Sequence, residues 1–183
     1  MTGSGMKWAS VALLLYGCVM CATAAAQEPQ AKNAEYRFIV GVFDSRAVAI
    51  AYARSDVFKR DIKSVTEEFE KAKSAGDQKR MAEINTQMEE RQALMHKQGF
   101  STYSVSDILD KIKDRLPEIA RQANVDTIVS KWDVVYQRSG IEFIDITDLM
   151  VKPFSPNEQT LTILKEMAKQ KPIPLEQMKN FKD

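Results

Sequence analysis

The sequence predicts an α+β protein in which a small β-sheet or barrel core carries a projecting antiparallel coiled-coil helical hairpin. Three observations support this fold. An apolar run rich in β-branched and aromatic residues opens the folded part of the chain at 36–43. A helical repeat of apolar positions follows at 48–98, broken by one turn. Short strand-like runs return within 127–146. The sheet is therefore expected to combine distant pieces of chain, with the hairpin inserted between them.

The composition is that of an ordinary folded domain. The chain has 183 residues, of which 44% are hydrophobic and 28% charged, with 26 Lys and Arg against 25 Asp and Glu. This apolar content is too high for wholesale disorder, and the length suits one domain with an extension. A net charge of +1 argues against a dedicated nucleic-acid binder, because such proteins usually carry a basic excess.

The first 26 residues have the three-part pattern of a secretory signal peptide. Lys7 gives a basic start, an apolar run of 14 residues follows at 8–21, and small residues lead to a cleavage site after Ala26. The run is shorter than the roughly 20 residues that a membrane span needs, although an uncleaved anchor is the alternative. Residues 15–18 also resemble a lipobox, in which Cys18 would carry a lipid. We therefore expect a periplasmic protein, with lipid anchoring as a variant.

Cleavage would leave a chain of 157 residues with 25 basic and 25 acidic side chains and no cysteine. Such a chain has no disulfide, no thiol nucleophile and no cysteine-ligated zinc. Packing or oligomerisation must therefore hold the exported protein together.

The folded part is expected to begin with one strand at 36–43, after a polar tether at 27–35. β-branched and aromatic residues fill this run, and Asp44 ends it. Both faces of the strand are largely apolar, which is typical of a strand that is covered on both sides. One of these faces carries Phe38, Val40 and Val42.

The helical repeat that follows predicts the hairpin. Its apolar positions are spaced three and four apart, with only Ser55 polar in the first helix, and Gly76 and Asp77 then form a turn. The second helix reaches about residue 98, although Arg91 interrupts its apolar face. Two such helices joined by a tight turn should fold back on each other. The apolar positions are Val48, Ala51, Phe58, Ile62, Val65, Phe69 and Ala72, then Met81, Ile84, Met88 and Met95.

The remaining elements are short. A third helix is predicted at 107–124, where Pro117 should kink or restart it. Extended segments and a last helix then alternate with turns, at 127–130, 134–137, 141–146 and 158–170. A sheet of so few short strands has exposed edges, which invite pairing with another subunit.

Two stretches of the chain carry a family resemblance. Residues 38–48, FIVGVFDSRAV, form a strand that ends in an aspartate and enters a long helix. Residues 119–131, IARQANVDTIVSK, precede VVY at 134–136 and IDITD at 144–148. In their order around a charged helical hairpin, these stretches resemble the Skp/OmpH family of periplasmic chaperones for outer-membrane proteins. The second stretch is similar to the closing helix, β-hairpin and terminal segment of that family, and the resemblance spans 36–148.

The resemblance implies a homotrimer whose strands complete a small shared barrel and whose three hairpins enclose an unfolded polypeptide. The implied function is that of an ATP-independent holdase for unfolded outer-membrane or envelope proteins. It implies no nucleic-acid partner, and membrane contact only at the periphery or through a lipid on Cys18. The side chains expected to bind clients are Phe58, Ile62, Phe69, Met81, Met88 and Met95. Those expected in the oligomer core are Phe38, Val40, Val42, Val129, Val135 and Tyr136. The methionines either fill the hairpin seam or, being flexible, bind apolar client segments.

Three features depart from the family pattern. The hairpin is short, its charge is nearly neutral with 10 basic and 9 acidic residues over 48–98, and an extension with one helix follows at 149–183. These departures favour an alternative function, in which the protein is an exported coiled-coil adaptor or structural protein with one specific envelope partner. Binding to many unrelated unfolded chains would separate the two functions.

The sequence contains little that suggests catalysis. His96 is the one histidine and has no neighbour at metal-ligand spacing, and there is no phosphate-binding loop or nucleophile elbow. Asp44, Asp145 and Asp148 are conceivable as a carboxylate cluster, but helix capping is the plainer explanation for an aspartate after a strand. Trp132 is expected in the core or at a subunit contact. We therefore expect no catalytic residue, no cofactor and no metal site, with a carboxylate enzyme as a minor alternative.

Overall fold

A three-stranded parallel sheet lies at the centre of the fold. The computed structural model describes residues 37–178, so the predicted signal peptide, the lipid on Cys18 and the tether at 27–35 lie outside the described residues. The strands are β1 (Ile39–Phe43), β2 (Thr127–Ser130) and β3 (Glu142–Asp145). Their order is β2-β1-β3, and β1 pairs with both neighbours in parallel. The first strand in the sequence is therefore the central one.

The segment at 134–137 is not a strand, which corrects the predicted β-hairpin. β2 and β3 lie on opposite sides of β1, so the residues between them form a connection across the sheet rather than a turn between neighbours. Val135 is 97% exposed and Tyr136 is 80% exposed. Within the described part of one chain, this segment has no ladder partner that would make it a strand.

Helices make up most of residues 37–178, and together with the small sheet they are consistent with the predicted α+β class. They are α1 (Ser45–Ala53), α2 (Asp56–Ser74), α3 (Gln78–Phe100), α4 (Ser106–Leu109), α5 (Leu116–Ala123), α6 (Thr147–Val151), α7 (Glu158–Ala168) and α8 (Leu175–Met178). Short 3₁₀ helices at Asp110–Arg115 and Lys152–Phe154 join α4 to α5 and follow α6. Among the helices of residues 37–178, none combines the length and the apolar character that a membrane crossing requires.

A break at Ser55 divides the predicted first helix of the hairpin. The hydroxyl of Ser55 donates to the Tyr52 carbonyl oxygen at 2.6 Å and accepts from the Phe58 N–H at 3.2 Å, so it ends one helix and caps the next. Seven of the nine residues of α1 are buried, whereas only Ala72 of α2 is. The predicted bounds of 48–98 are therefore wrong at the start. α1 belongs to the core, and the helix pair α2–α3 occupies 56–100.

Two other helix ends agree with the sequence prediction. Gly76 has a φ of 69°, the left-handed conformation that glycine adopts at little cost, and the Asp77 carboxylate caps α3 by accepting from the Arg80 N–H at 3.0 Å. The third predicted helix restarts at α5, which has Pro117 in its first turn. Proline fits there because the first turn has no hydrogen-bond partner for its missing N–H.

The inner face of the sheet packs on the helices. Ile39 and Phe43 from β1, Ile128 from β2 and Ile144 from β3 all contact one apolar cluster. A Cβ on Gly41 would come within 2.9 Å of Ile146 Cδ1, so the backbone of β1 approaches its cover closely. The sheet is thus anchored on this side by direct contact with the helices.

The outer face of the sheet is less covered. By the strand register, it carries Val40 and Val42 of β1 beside Val129 of β2 and Phe143 of β3. Val40 is 7% exposed, the other three are half-buried, and Phe38 at the start of the strand is 43% exposed. Four predicted oligomer-core residues therefore share one side of the sheet, while Val135 and Tyr136 lie on the connecting loop.

The residues after Asp148 complete the same core. Met150, Val151 and Phe154 join the apolar cluster, as do Leu164 and Met167 of α7. The Ile173 N–H also donates to the Phe100 carbonyl oxygen at 2.8 Å, which ties the segment before α8 to the end of α3. As far as residue 178, the predicted extension at 149–183 is packed into the domain.

Candidate functional site

The carboxyl ends of the three parallel strands meet at one edge of the sheet, where they border a cavity of about 280 Å³. Asp44 follows β1, Lys131 follows β2, and Thr147 and Asp148 follow β3. Leu164 of α7 lines the opposite wall. Open parallel sheets generally bind ligands at this edge, so the position alone makes it a candidate site.

The carboxylate of Asp44 is fully occupied by neighbouring donors. Its Oδ1 accepts from the Arg46 N–H at 3.0 Å and from Arg46 Nε at 3.1 Å, while Oδ2 accepts from Arg46 Nη2 at 2.8 Å. Trp132 Nε1 donates to Oδ1 at 3.0 Å, and Lys131 Nζ lies 2.9 Å from Oδ2. The expected capping role is therefore confirmed, since the side chain caps α1. It also forms the centre of a buried ion pair.

Arg46 lies as deep as its partner. Both side chains of the pair are 2% exposed, and Arg46 Nη1 donates to the Gln170 carbonyl oxygen at 3.0 Å. The guanidinium also lies over the Trp132 ring, 4.9 Å from its centroid. Burial of a charge is costly unless it is paired and hydrogen-bonded, and both conditions are met here.

The pKa of Asp44 reports this balance. Burial raises it, but the hydrogen bonds from Arg46, Lys131 and Trp132 favour the charged form more strongly and lower the pKa from 3.8 to about 2. Asp44 is therefore a carboxylate at neutral pH. Both of its oxygens already accept from neighbouring donors, so neither is free to accept a proton from a substrate or to bind a metal ion.

The three aspartates considered in the sequence do line the same cavity. Asp145 and Asp148 are exposed, and Asp145 Oδ1 accepts from the Thr147 N–H at 2.9 Å. Within residues 37–178, however, no three acidic, histidine or cysteine side chains are grouped so that they could hold a metal ion. The carboxylates thus contribute charge to the cavity without forming a cation cage.

The predicted client-binding residues lie in different environments along the helix pair α2–α3. Phe69 and Met88 line one groove of about 220 Å³ together with Val65 and Ile84. Met95 lies in a second groove of about 260 Å³ at the other end of α3. Phe58 instead packs against Tyr52, with ring centroids 5.4 Å apart, and contacts the core. Ile62 and Met81 are half-buried and line neither groove.

A polar network at the base of the helix pair was not predicted. The Tyr52 hydroxyl donates to Asp61 Oδ2 at 2.7 Å, and Lys111 Nζ lies 2.8 Å from the same oxygen. Burial and then the hydrogen bond to Asp61 raise the pKa of Tyr52, while the hydrogen bond from Lys111 lowers the pKa of Asp61. The positive charge of Arg91 also acts on Asp61 and lowers its pKa. The buried Nη1 atom of Arg91 has no hydrogen-bond partner within the described part of the chain. In the sequence, the only indication of this network is Arg91, which interrupts the apolar face of the second helix.

His96 and Trp132 occupy ordinary structural positions. The His96 ring lies 5.8 Å from the Phe100 ring, in the same groove as Met95. Trp132 is half-buried beneath Arg46 and Lys131. Both residues are therefore held among neighbouring side chains.

Comparison of the chain with models of protein families, with curated proteins and with solved structures finds no match.

Proposed function

We propose that the protein is an exported holdase, similar in action to Skp/OmpH chaperones, that binds unfolded outer-membrane or envelope polypeptides without ATP. The single observation that carries the proposal is the incomplete burial of the helix pair. Of residues 56–100, only Ala72, Ile84, Gln98 and Gly99 are buried. The other apolar side chains between α2 and α3 keep surface that an apolar segment of another polypeptide can cover.

In this proposal, α2 and α3 act as an antiparallel coiled-coil hairpin. The groove that contains Phe69 and Met88 binds short apolar stretches of the client, and Met88 is 38% exposed there. An unbranched thioether adapts to different partners, which suits binding without sequence preference. Residues 56–100 carry nine basic and nine acidic side chains, so the proposed contact depends on apolar burial and only weakly on charge.

A homotrimer would complete the sheet. β2 and β3 each have an outer edge without a strand partner among residues 37–178, and the segment at 134–137 has strand-forming residues that are almost fully exposed. Pairing between copies satisfies these edges and covers Val135 and Tyr136. Three helix pairs around one shared sheet would then surround a client. The signal-peptide pattern supports a periplasmic location for this assembly.

The second candidate is an adaptor with one specific envelope partner. Arg80 favours it, because Arg80 Nη2 lies 2.6 Å from Glu68 Oε1 on α2 while Nη1 lies 2.8 Å from Glu83 on α3. These ion pairs hold the ends of the two helices near the turn in one arrangement. A fixed surface of this kind suits one specific partner more than many different clients. The near-neutral charge of the helix pair points the same way, since it would give little long-range attraction for many clients.

The deciding experiment is the light-scattering mass of residues 27–183, alone and after mixing with an outer-membrane barrel protein diluted from urea. The holdase proposal predicts a trimer that becomes a soluble complex with one client. It also predicts little change in client binding between low and high salt, because apolar contacts are not screened.

A monomer that leaves the barrel protein to precipitate would contradict the holdase proposal. Capture of one folded envelope protein, with no effect on unrelated unfolded chains, would instead establish the adaptor.

A further inference from the structure

The cavity at the carboxyl edge of the sheet has a preformed floor. Asp44 is held there by five donor contacts, and Ala47 of α1 is 2% exposed beside it. Because these groups are already hydrogen-bonded or buried, they define the shape of the cavity but do not bind the ligand directly. A rigid floor of this kind lowers the entropic cost of binding.

One wall of the cavity is apolar. Leu164 and Met167 of α7 are buried at 8% and 9% exposure, whereas Leu161, one turn earlier, keeps 37% of its surface exposed. This wall can accept an aliphatic group, which would cover Leu161 and remove its apolar surface from water.

The rim carries charges of both signs. Asp148 follows β3 and Lys165 projects from α7, and neither forms an ion pair with another residue of the described chain. Asp145 adds a second exposed carboxylate on the same side as Asp148. Lys131 Nζ, although bonded to Asp44, belongs to a side chain that is still 28% exposed. The cavity lining thus combines exposed carboxylates, exposed ammonium groups and an apolar wall.

We propose that this cavity binds a small zwitterion with an aliphatic body, of the class of free α-amino acids such as leucine. The ammonium group pairs with Asp148 and Asp145, the carboxylate pairs with Lys165, and the aliphatic side chain packs on Leu161 and Leu164. The volume of about 280 Å³ lies just below the range of roughly 300–1,000 Å³ for the pockets of drug-sized ligands, which suits a smaller molecule. The site is separate from the helix pair and does not depend on the proposed holdase function.

The test is isothermal titration calorimetry of the full chain with L-leucine, leucinamide and N-acetyl-leucine. Leucinamide lacks the carboxylate and N-acetyl-leucine lacks the ammonium, so each should bind at least about tenfold more weakly than leucine. Asp148→Asn and Lys165→Gln should each weaken leucine binding by a similar factor. Both side chains are exposed, so the melting temperature of the unliganded variants should stay that of the wild type.

Lys169→Gln is the matched control. Lys169 follows α7 directly, but it pairs with Glu166 and is not part of the cavity lining, so this variant should bind leucine as the wild type does. The proposal is overturned if leucine gives no binding heat with the wild type, or if Asp148→Asn and Lys165→Gln both bind it normally. Equal binding of N-acetyl-leucine and leucine would also overturn it, and would point to a peptide carboxyl terminus instead.

Discussion

At the scale of single residues, Asp44 joins three parts of the chain. It caps α1, accepts from Arg46 within that helix, and accepts from Lys131 and Trp132 after β2. The backbone N–H of the same residue donates to Thr147 Oγ1 at 2.9 Å, which connects β1 to the start of α6. Loss of this one side chain should therefore affect the fold far from its position in the sequence.

Asp44→Asn should lower the free energy of unfolding by about 3–5 kcal/mol, because it leaves the Arg46 guanidinium buried without its counter-charge. Urea unfolding followed by circular dichroism measures this loss. Asp148→Asn is the comparison, since it removes an exposed aspartate of the same cavity and should change the unfolding free energy by no more than about 0.5 kcal/mol. Equal stabilities of the two variants would contradict the structural role of Asp44.

Asp44 also predicts an acid limit of stability. The pKa of Asp44 is lowered from 3.8 to about 2 in the folded state. Its contribution to stability is therefore fully present above pH 3.8 and is lost as the pH falls through about 2. Lys131→Gln removes one donor and should move this loss to higher pH, whereas Lys113→Gln on the exposed 3₁₀ helix should not. Urea unfolding at a series of pH values measures the shift. The same acid profile in both variants would exclude a contribution from Lys131.

The sequence reveals part of this residue-scale picture. A strand that ends in aspartate predicts a helix cap, and Asp44 is one. The burial of Arg46 was not predictable, because a buried guanidinium needs partners and two of its neighbours come from distant parts of the chain. Trp132 lies 86 positions later and Gln170 lies 124 positions later. Only the folded chain brings these groups together.

At the scale of elements, Ser55 explains why one predicted helix is two. The apolar positions before and after Ser55 keep a spacing of three and four, so periodicity does not reveal a short break between helices of similar phase. The polar residue in the seam was the signal, since serine competes with the helix by bonding to the local backbone. The break leaves α1 in the core and starts the helix pair at Asp56.

Ser55→Ala should destabilise the protein by about 1 kcal/mol, because the Phe58 N–H at the start of α2 loses its acceptor. Thermal unfolding of the variant measures this. Ser64→Ala serves as the control, since Ser64 is exposed in the interior of α2 and alanine is the better helix former there. A stability of Ser55→Ala that equals that of Ser64→Ala would indicate that the cap contributes nothing.

The strand prediction failed for a related reason. Val134, Val135 and Tyr136 have the composition of a strand, and the turn residues around them suggest a hairpin. The composition of a segment indicates whether it can form a strand. A hydrogen-bonded ladder also requires an adjacent strand with an unpaired edge. β1 occupies the position between β2 and β3, so the segment at 134–137 finds no partner within the described chain.

At the scale of the whole molecule, the α+β class agrees with the prediction but the direction of the strands was not predicted. The connection between β2 and β3 covers only residues 131–141, and so short a segment usually joins antiparallel neighbours. Here it crosses the edge of β1 instead. The strand-end cavity follows from this parallel arrangement, which brings together the three aspartates that the sequence suggested as a cluster only in a minor alternative.

The proposed holdase activity predicts a specific loss on charging the groove. Met88→Glu places a carboxylate beside Phe69 and should weaken suppression of client aggregation several-fold, because a charge in an apolar contact must be desolvated. Turbidity of a barrel protein diluted from urea measures the suppression. Gln87→Glu adds the same charge at the neighbouring exposed position of α3 and should act as the wild type does. Equal activity of both variants would place client binding elsewhere.

The central position of β1 also governs when the fold can form. Both partners of β1 come much later in the chain, because β2 begins at Thr127 and β3 begins at Glu142. At synthesis rates of about 5–20 residues per second, β1 therefore waits some 5–20 seconds for its second neighbour. During that interval the N–H and C=O groups along the edges of β1 are unpaired and can bond to a strand of another chain. The late closure of this sheet thus gives the nascent chain an interval in which an unpaired strand edge favours aggregation.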